Sequence, residues 1–189
     1  MKTLIVYGTR YGATAEISEE IARVLREESL GFDVKVANAK EDEIRDIAEY
    51  ELIVVGSGLQ IGKWTGEAEG FLKKFRKDLA QKKVAIFVSS AFVPVYRQQG
   101  KTAEVERARK KYLEEKTAEY SLKPIAMEIF GGVLDYNKVG FLARKAMSGV
   151  KPLFETAGYK ETKPGVYDTR DWNEIKDWAR KLILKARYL

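Results

Sequence analysis

Gly8, Thr9, Arg10, Tyr11, Gly12, Ala13 and Thr14 form a run in which two threonine hydroxyls bracket a glycine just ahead of a helical apolar pattern. At a helix N-terminus backbone N–H groups converge and the dipole favours negative charge. Hydroxyl donors from Thr9 and Thr14 would complete a site suited to a terminal phosphate. The run has neither the lysine of GxxxxGK[ST] nor the spacing of GxGxxG, which sets it apart from triphosphatase and dinucleotide loops. Taken alone, it reads equally well as an ordinary capped turn. A second run, Gly56, Ser57, Gly58, Leu59, Gln60, Ile61, Gly62, Lys63 and Trp64, gathers glycines beside an aromatic residue. Glycine lets a flat ring approach the backbone, and Trp64 offers a face to stack on it. A third run, Ser89, Ser90, Ala91 and Phe92, adds small residues and an aromatic, with Tyr96 close behind. A Trp or Phe in a loop is more often a packing anchor than a ligand contact, so the weight rests on three such loops meeting at one edge.

Composition narrows the chemistry. The chain has no His and no Cys, which excludes disulfides, cysteine-ligated zinc and iron–sulfur centres, His-ligated haem and every Ser-His-Asp or Cys-His arrangement. Lys and Arg number 34 against 28 Asp and Glu, a net charge of +6, which favours carboxylate-bearing substrates, acidic proteins, phosphates or anionic membrane faces as partners. No apolar run approaches the roughly 18 to 20 residues of a spanning helix, and residues 4–7 are too short for a signal peptide core, so a cytoplasmic protein is expected. A length of 189 residues with 45% hydrophobic side chains and 4 prolines predicts one folded domain over 1–189. A flavin-free nucleic-acid module ranks low, because the acids are interspersed with the bases and no recognition motif is present.

The loops need elements to hold them. Residues 4–7, 32–37, 52–55, 84–88 and 125–130 read as five strands, several of them continuously apolar, as strands covered on both faces are. Between them Ile17, Ile21, Val24 and Leu25 predict a helix closed by Gly31. Residues 41–48 predict a short helix, and Ala68, Phe71, Leu72, Phe75 and Leu79 share one helical face. Residues 101–120 predict a mixed-charge, mostly solvated helix, and Ile175, Trp178, Ala179, Leu182, Ile183 and Ala186 a closing helix with a capping-box spacing at Asp171 and Glu174. Alternation of this kind implies an α/β fold, a doubly wound five-stranded parallel sheet with helices on both faces. Ligands of such sheets bind beyond the carboxyl ends of the strands, where the three loops lie.

With those loops in place the chain resembles a flavodoxin-like FMN-binding domain, and within that superfamily the flavodoxin-like quinone-linked protoporphyrinogen oxidases. The similarity runs from residues 2–14 through Gly131, Gly132, Val133, Leu134, Asp135 and Tyr136 to Asp171 and Trp172. Short flavodoxins usually carry another hydroxyl residue where Tyr11 stands and asparagine where Ala13 stands. The segment from Asn137 to Lys145 is poorer in aromatics and arginines than the oxidase family's. The resemblance implies that Thr9, Arg10, Tyr11, Gly12, Ala13 and Thr14 hold the phosphate of FMN. It places Ser57, Gly58, Leu59, Gln60, Ile61, Gly62 and Trp64 on one side of the isoalloxazine, and Ser89, Ser90, Ala91 and Phe92 along the ribityl chain and pyrimidine edge. The flavin then carries the redox chemistry and the protein binds, orients and tunes it. Lys63 or Arg97 would be a cation near the ring.

FMN rather than FAD is expected, since the first loop lacks a glycine-rich pyrophosphate crossing. The implied function is an oxidoreductase moving electrons from a tetrapyrrole or similar donor to a quinone or protein acceptor, or else an electron carrier between redox proteins. Residues 136–154 carry Lys138, Arg144, Lys145 and Lys151 without an acid among Val139, Phe141, Leu142, Ala146 and Met147. That pattern predicts a basic amphipathic helix whose rim steers an acidic partner or touches a membrane surface.

Overall fold

A strand that is apolar at every position must be covered on both faces, and the first strand, β1 (Lys2–Gly8), shows how that cover is divided. Side chains alternate across a sheet, so Leu4 and Val6 enter one core together with Ile53, Val55, Ile86 and Val88. Ile5 enters the other with Val54, Ala85 and Phe87. The computed structural model describes residues 1–138 and 149–188, with only the backbone of Gln60. The strands β2 (Asp33–Asn38), β3 (Leu52–Gln60), β5 (Lys83–Ser89) and β6 (Ala126–Phe130) join β1 in the order β2-β1-β3-β5-β6. Every neighbouring pair along that path is parallel. The order reverses direction between β1 and β3, the topological switch point at which open α/β sheets bind ligands.

Helix α1 (Ala13–Glu27) lays Ile17, Ile21, Val24 and Leu25 on the second core face. It packs beside the closing helix, Trp172–Tyr188, whose Ile175, Trp178, Ala179, Leu182, Ile183 and Ala186 are buried as their spacing predicts. Asp171 caps that helix by accepting from the backbone N–H of Asn173 and Glu174 at 2.8 and 3.2 Å. On the opposite face lie α2 (Gly66–Lys74) and α3 (Arg76–Leu79), one apolar face broken at Phe75. After β5 come α4 (Phe92–Gln98) and α5 (Thr102–Arg109), then a π-helical turn over Lys110–Glu114 and α6 (Glu115–Glu119). This last stretch is less solvated than its charge predicts, because Leu113 is fully buried in the core.

Three elements depart from expectation. Residues 41–48 form no helix. Asp42 accepts from the N–H of Asn38 at 2.6 Å, Asn38 from that of Lys40 at 3.0 Å and Asp46 from that of Ala48 at 2.9 Å, local bonds that compete with helix formation while Ile47 still anchors the segment. Helix α1 ends at Glu27, and Gly31 stands beyond it in a left-handed turn at φ 93°. Beyond β6 lies a small antiparallel sheet, β7 (Val133–Asp135), β9 (Val166–Asp168) and β8 (Glu161–Lys163), with the helix Val150–Thr156. It has its own apolar cluster of Val95, Leu134, Phe154 and Tyr167. Of the basic helix expected over 136–154, residues 139–148 lie outside the described residues. The flanks are a 3₁₀ turn at Tyr136–Lys138 and the helix Val150–Thr156.

Candidate functional site

The carboxyl ends of β1, β3, β5 and β6 bring the expected loops to one edge. Gly12 sits at φ 94°, open to a residue without a β-carbon, and its N–H donates to the Thr9 hydroxyl at 3.0 Å. This bond folds the loop back so that α1 starts at Ala13 without a side-chain cap. The first-turn N–H groups of an α-helix have no intrahelical acceptor, so those of Ala13, Thr14 and Ala15 are the donors the loop offers to an anion. Arg10 and Tyr11 flank the opening. Arg10 is ion-paired with Glu67 of α2 at 3.2 Å, and Lys138 approaches the Tyr11 ring to 6.0 Å.

Thr14 also serves the fold. Its side chain is buried and its hydroxyl lies 2.9 Å from that of Ser89, tying the start of α1 to the end of β5. Gly58 lies between them, since a β-carbon there would stand 3.0 Å from Thr14 Oγ1 and 3.9 Å from Ser89 Oγ. Ser57 is equally committed to the fold. Its hydroxyl accepts from the Thr65 N–H at 3.0 Å and donates to the Gly58 carbonyl at 3.0 Å. Thr65 caps α2, and a β-carbon on Gly8 would meet its Oγ1 at 1.9 Å, so β1 must end in glycine here.

Gln60, Ile61, Gly62 and Lys63 form the turn between β3 and its short antiparallel partner β4 (Lys63–Trp64). Ile61 and Gly62 both have positive φ, 49° and 66°, and Ile61 is 93% exposed. Leu59 is half-buried at the start of this hairpin. Trp64 does not present a face at the edge. It is buried in the core, its indole N–H donating to the Tyr112 carbonyl at 3.0 Å, because the hairpin turns it back onto the π-helical turn. Arg97 is likewise removed from this edge. It pairs with Glu174 at 2.8 Å and Glu128 at 3.2 Å and donates to the Ile129 carbonyl, covering the outer edge of β6. Burial raises the carboxyl pKa of Glu174, against the opposing pull of Arg97.

Ser89, Ser90, Ala91 and Phe92 continue the edge. Ser90 N–H donates to the Phe130 carbonyl at 2.9 Å, and a β-carbon on Gly132 would stand 3.1 Å from Ala91 N. Phe92 meets Phe154 edge-on at 5.4 Å, so the small sheet braces this wall. Sequence reasoning missed Thr169 and Arg170. Thr169 Oγ1 accepts from the Gly132 N–H and donates to its carbonyl, both at 3.1 Å. Arg170 holds Asp168 and reaches Glu16 of α1. The nearby Asp171–Trp172 motif marked the region, but no periodic signal picked out the two residues before it.

An uncapped helix N-terminus behind a hydroxyl-closed loop fits a phosphate-bearing ligand. Comparison with known proteins agrees. The flavodoxin domain pattern matches residues 4–162, and the chain belongs to that family. The protoporphyrinogen IX dehydrogenase [quinone] of Escherichia coli strain K12 is 25% identical over 182 residues, covering 96% of this chain and 94% of that protein. The Leishmania major protein of the same name is 25% identical over 94% of this chain and 73% of its own length. Among solved structures, a flavodoxin from the domain Archaea superposes with a TM-score of 0.56 at 18% identity, each chain covered in full. The flavo di-iron protein of Thermotoga maritima matches 98% of this chain with 35% of its own, TM-score 0.55, at 13% identity. Among the described residues, no helix is long and apolar enough to cross a membrane.

Proposed function

We propose that this flavodoxin-family protein binds FMN without a covalent bond and acts as an oxidoreductase, drawing electrons from a tetrapyrrole or similar carboxylate-bearing donor and passing them to a quinone or protein acceptor. The observation that carries the FMN part is the opening of α1, where Gly12 at φ 94° and the Thr9 hydroxyl leave the first-turn N–H groups without a side-chain cap. A single phosphate suits that donor set. The chain's residues would bind and orient. Ala13, Thr14 and Ala15 would offer backbone donors, Arg10 would add a cation steadied by Glu67, and the hairpin at residues 59–63 and the wall at residues 89–92 would flank the ring. Bound there, FMN supplies the one- and two-electron chemistry that a chain without His or Cys lacks.

The dehydrogenase reading draws support from relatives matched over nearly the whole chain. The carrier reading draws support from the archaeal flavodoxin matched end to end. The absorption spectrum of the purified protein, with identification of the released chromophore, tests the cofactor. A colourless protein that takes up no added FMN refutes it. Turnover of protoporphyrinogen IX with a quinone then separates enzyme from carrier, since a carrier exchanges electrons with a redox protein but does not turn over that pair.

A further inference from the structure

Among the described residues, Arg170 is the most enclosed cation of the site edge, its side chain only 8% exposed. Its Nε and Nη2 bond both oxygens of Asp168 at 2.6 to 3.2 Å, and its guanidinium lies 4.7 Å from the Trp172 ring centroid. Asp168 therefore already balances its charge. Its remaining arm, Nη1, reaches Glu16 Oε2 at 2.7 Å across 154 residues of sequence. Glu16 is 61% exposed, and ion pairs of that exposure contribute little to stability. The position of Glu16 is what distinguishes it. Its other oxygen lies 4.0 Å from the point where a β-carbon on Gly12 would stand, at the mouth of α1. A carboxylate there suits an empty helix N-terminus but repels an arriving anion.

We infer that Arg170 is a positioning residue of the anion cradle: it fixes the Glu16 carboxylate at the rim of the α1 mouth and offsets its charge, so that the first turn of α1 accepts a phosphate. This rests on the phosphate-binding reading above and extends it to a pair of residues remote in sequence.

The test compares wild type with Arg170→Lys, Glu16→Gln and the double variant. Lysine keeps the charge but cannot fork to both carboxylates. FMN and riboflavin affinities are measured by fluorescence, and inorganic phosphate is titrated against the amide resonances of Ala13, Thr14 and Ala15. Arg170→Lys is expected to weaken FMN and phosphate about tenfold, the scale of one unscreened like charge near the site, and riboflavin less than about twofold. Adding Glu16→Gln should return both to within about threefold of wild type. Equal losses for FMN and riboflavin, or no rescue by Glu16→Gln, would overturn the inference and leave Arg170 as support for the fold. If wild type binds neither flavin, the FMN reading fails while the phosphate titration still decides this one. Wild type that also ignores phosphate overturns both.

Discussion

The hydroxyl pair of Thr14 and Ser89 separates a residue that binds from one that supports what binds. The two oxygens are 2.9 Å apart, with Thr14 1% and Ser89 6% exposed, so neither hydroxyl has ready access to water. Thr14→Val keeps the shape and strands the Ser89 hydroxyl, at a cost of about 1 to 3 kcal/mol. For a chain of this length that lowers Tm by about 2 to 12 °C. Ser89→Ala should cost a similar amount by stranding Thr14. The double variant removes both polar groups and should cost less than the sum, with a coupling of about 0.5 to 3 kcal/mol. Thermal unfolding of the four proteins measures this, alongside FMN and riboflavin affinities. Because the Thr14 backbone N–H is untouched, the ratio of the two affinities should stay constant. Additive stability losses, together with a tenfold fall in FMN affinity at unchanged riboflavin affinity, would refute the reasoning and return the hydroxyl to the phosphate.

Gly56→Ala would set a β-carbon 2.3 Å from the Phe87 ring, which is itself packed between Phe130 and Trp178, so equilibrium unfolding should show a loss of about 1 to 3 kcal/mol. Ile61→Asn should raise stability by about 1 kcal/mol in the same assay, since a β-branched residue at positive φ is strained and this one buries almost nothing. Trp64→Phe should cost about 1 kcal/mol through the bond to the Tyr112 carbonyl and leave the FMN to riboflavin ratio unchanged, whereas a stacking role would weaken both flavins. Burial raises the Glu174 pKa, so the folded state holds this proton more tightly than the unfolded one. Its contribution to stability should then grow as pH falls through the raised folded value toward about 4.3. Stability profiles from pH 7 to 4 should show wild type gaining on Glu174→Gln, and parallel profiles would refute the shift.

The five-stranded sheet was legible because parallel strands are apolar on both faces and β1, β3 and β5 read as unbroken runs. The small sheet of β7, β8 and β9 was not, for the opposite reason. Its strands have three residues each, and Glu161, Thr162 and Lys163 are all exposed, leaving no alternation to read. The helix expected at 41–48 failed on a local rule, as Asn38, Asp42 and Asp46 spend their side chains on nearby backbone N–H groups. At the site, the loops were legible and the direction of each side chain was not. Thr14, Ser57 and Trp64 have residue types that suit a ligand, yet each is satisfied by another part of the chain. The partners of Thr14 and Trp64 lie 75 and 48 residues away, in elements that local patterning does not connect.

That division of labour explains why so many glycines stand at one edge. A β-carbon on Gly8 would strike the cap of α2, one on Gly58 would press on the Thr14–Ser89 pair, and one on Gly131 would stand 2.1 Å from the Thr169 carbonyl. The hydroxyls of Thr14, Ser57, Thr65, Ser89 and Thr169 bind one strand end to the next, and the first-turn N–H groups of α1 stand on that rigid scaffold without a side-chain cap. The side-chain cations follow the same plan. Arg10 holds Glu67, Lys138 lies 3.6 Å from Asp135, and Arg170 holds Asp168 and Glu16. Each is paired with a carboxylate of the same fold, so the edge presents oriented backbone dipoles beside ion pairs that limit the rotamer freedom of their long side chains. Fixed donors need little reorganisation when a ligand arrives, which is the condition under which a helix N-terminus binds an anion well without a dedicated lysine.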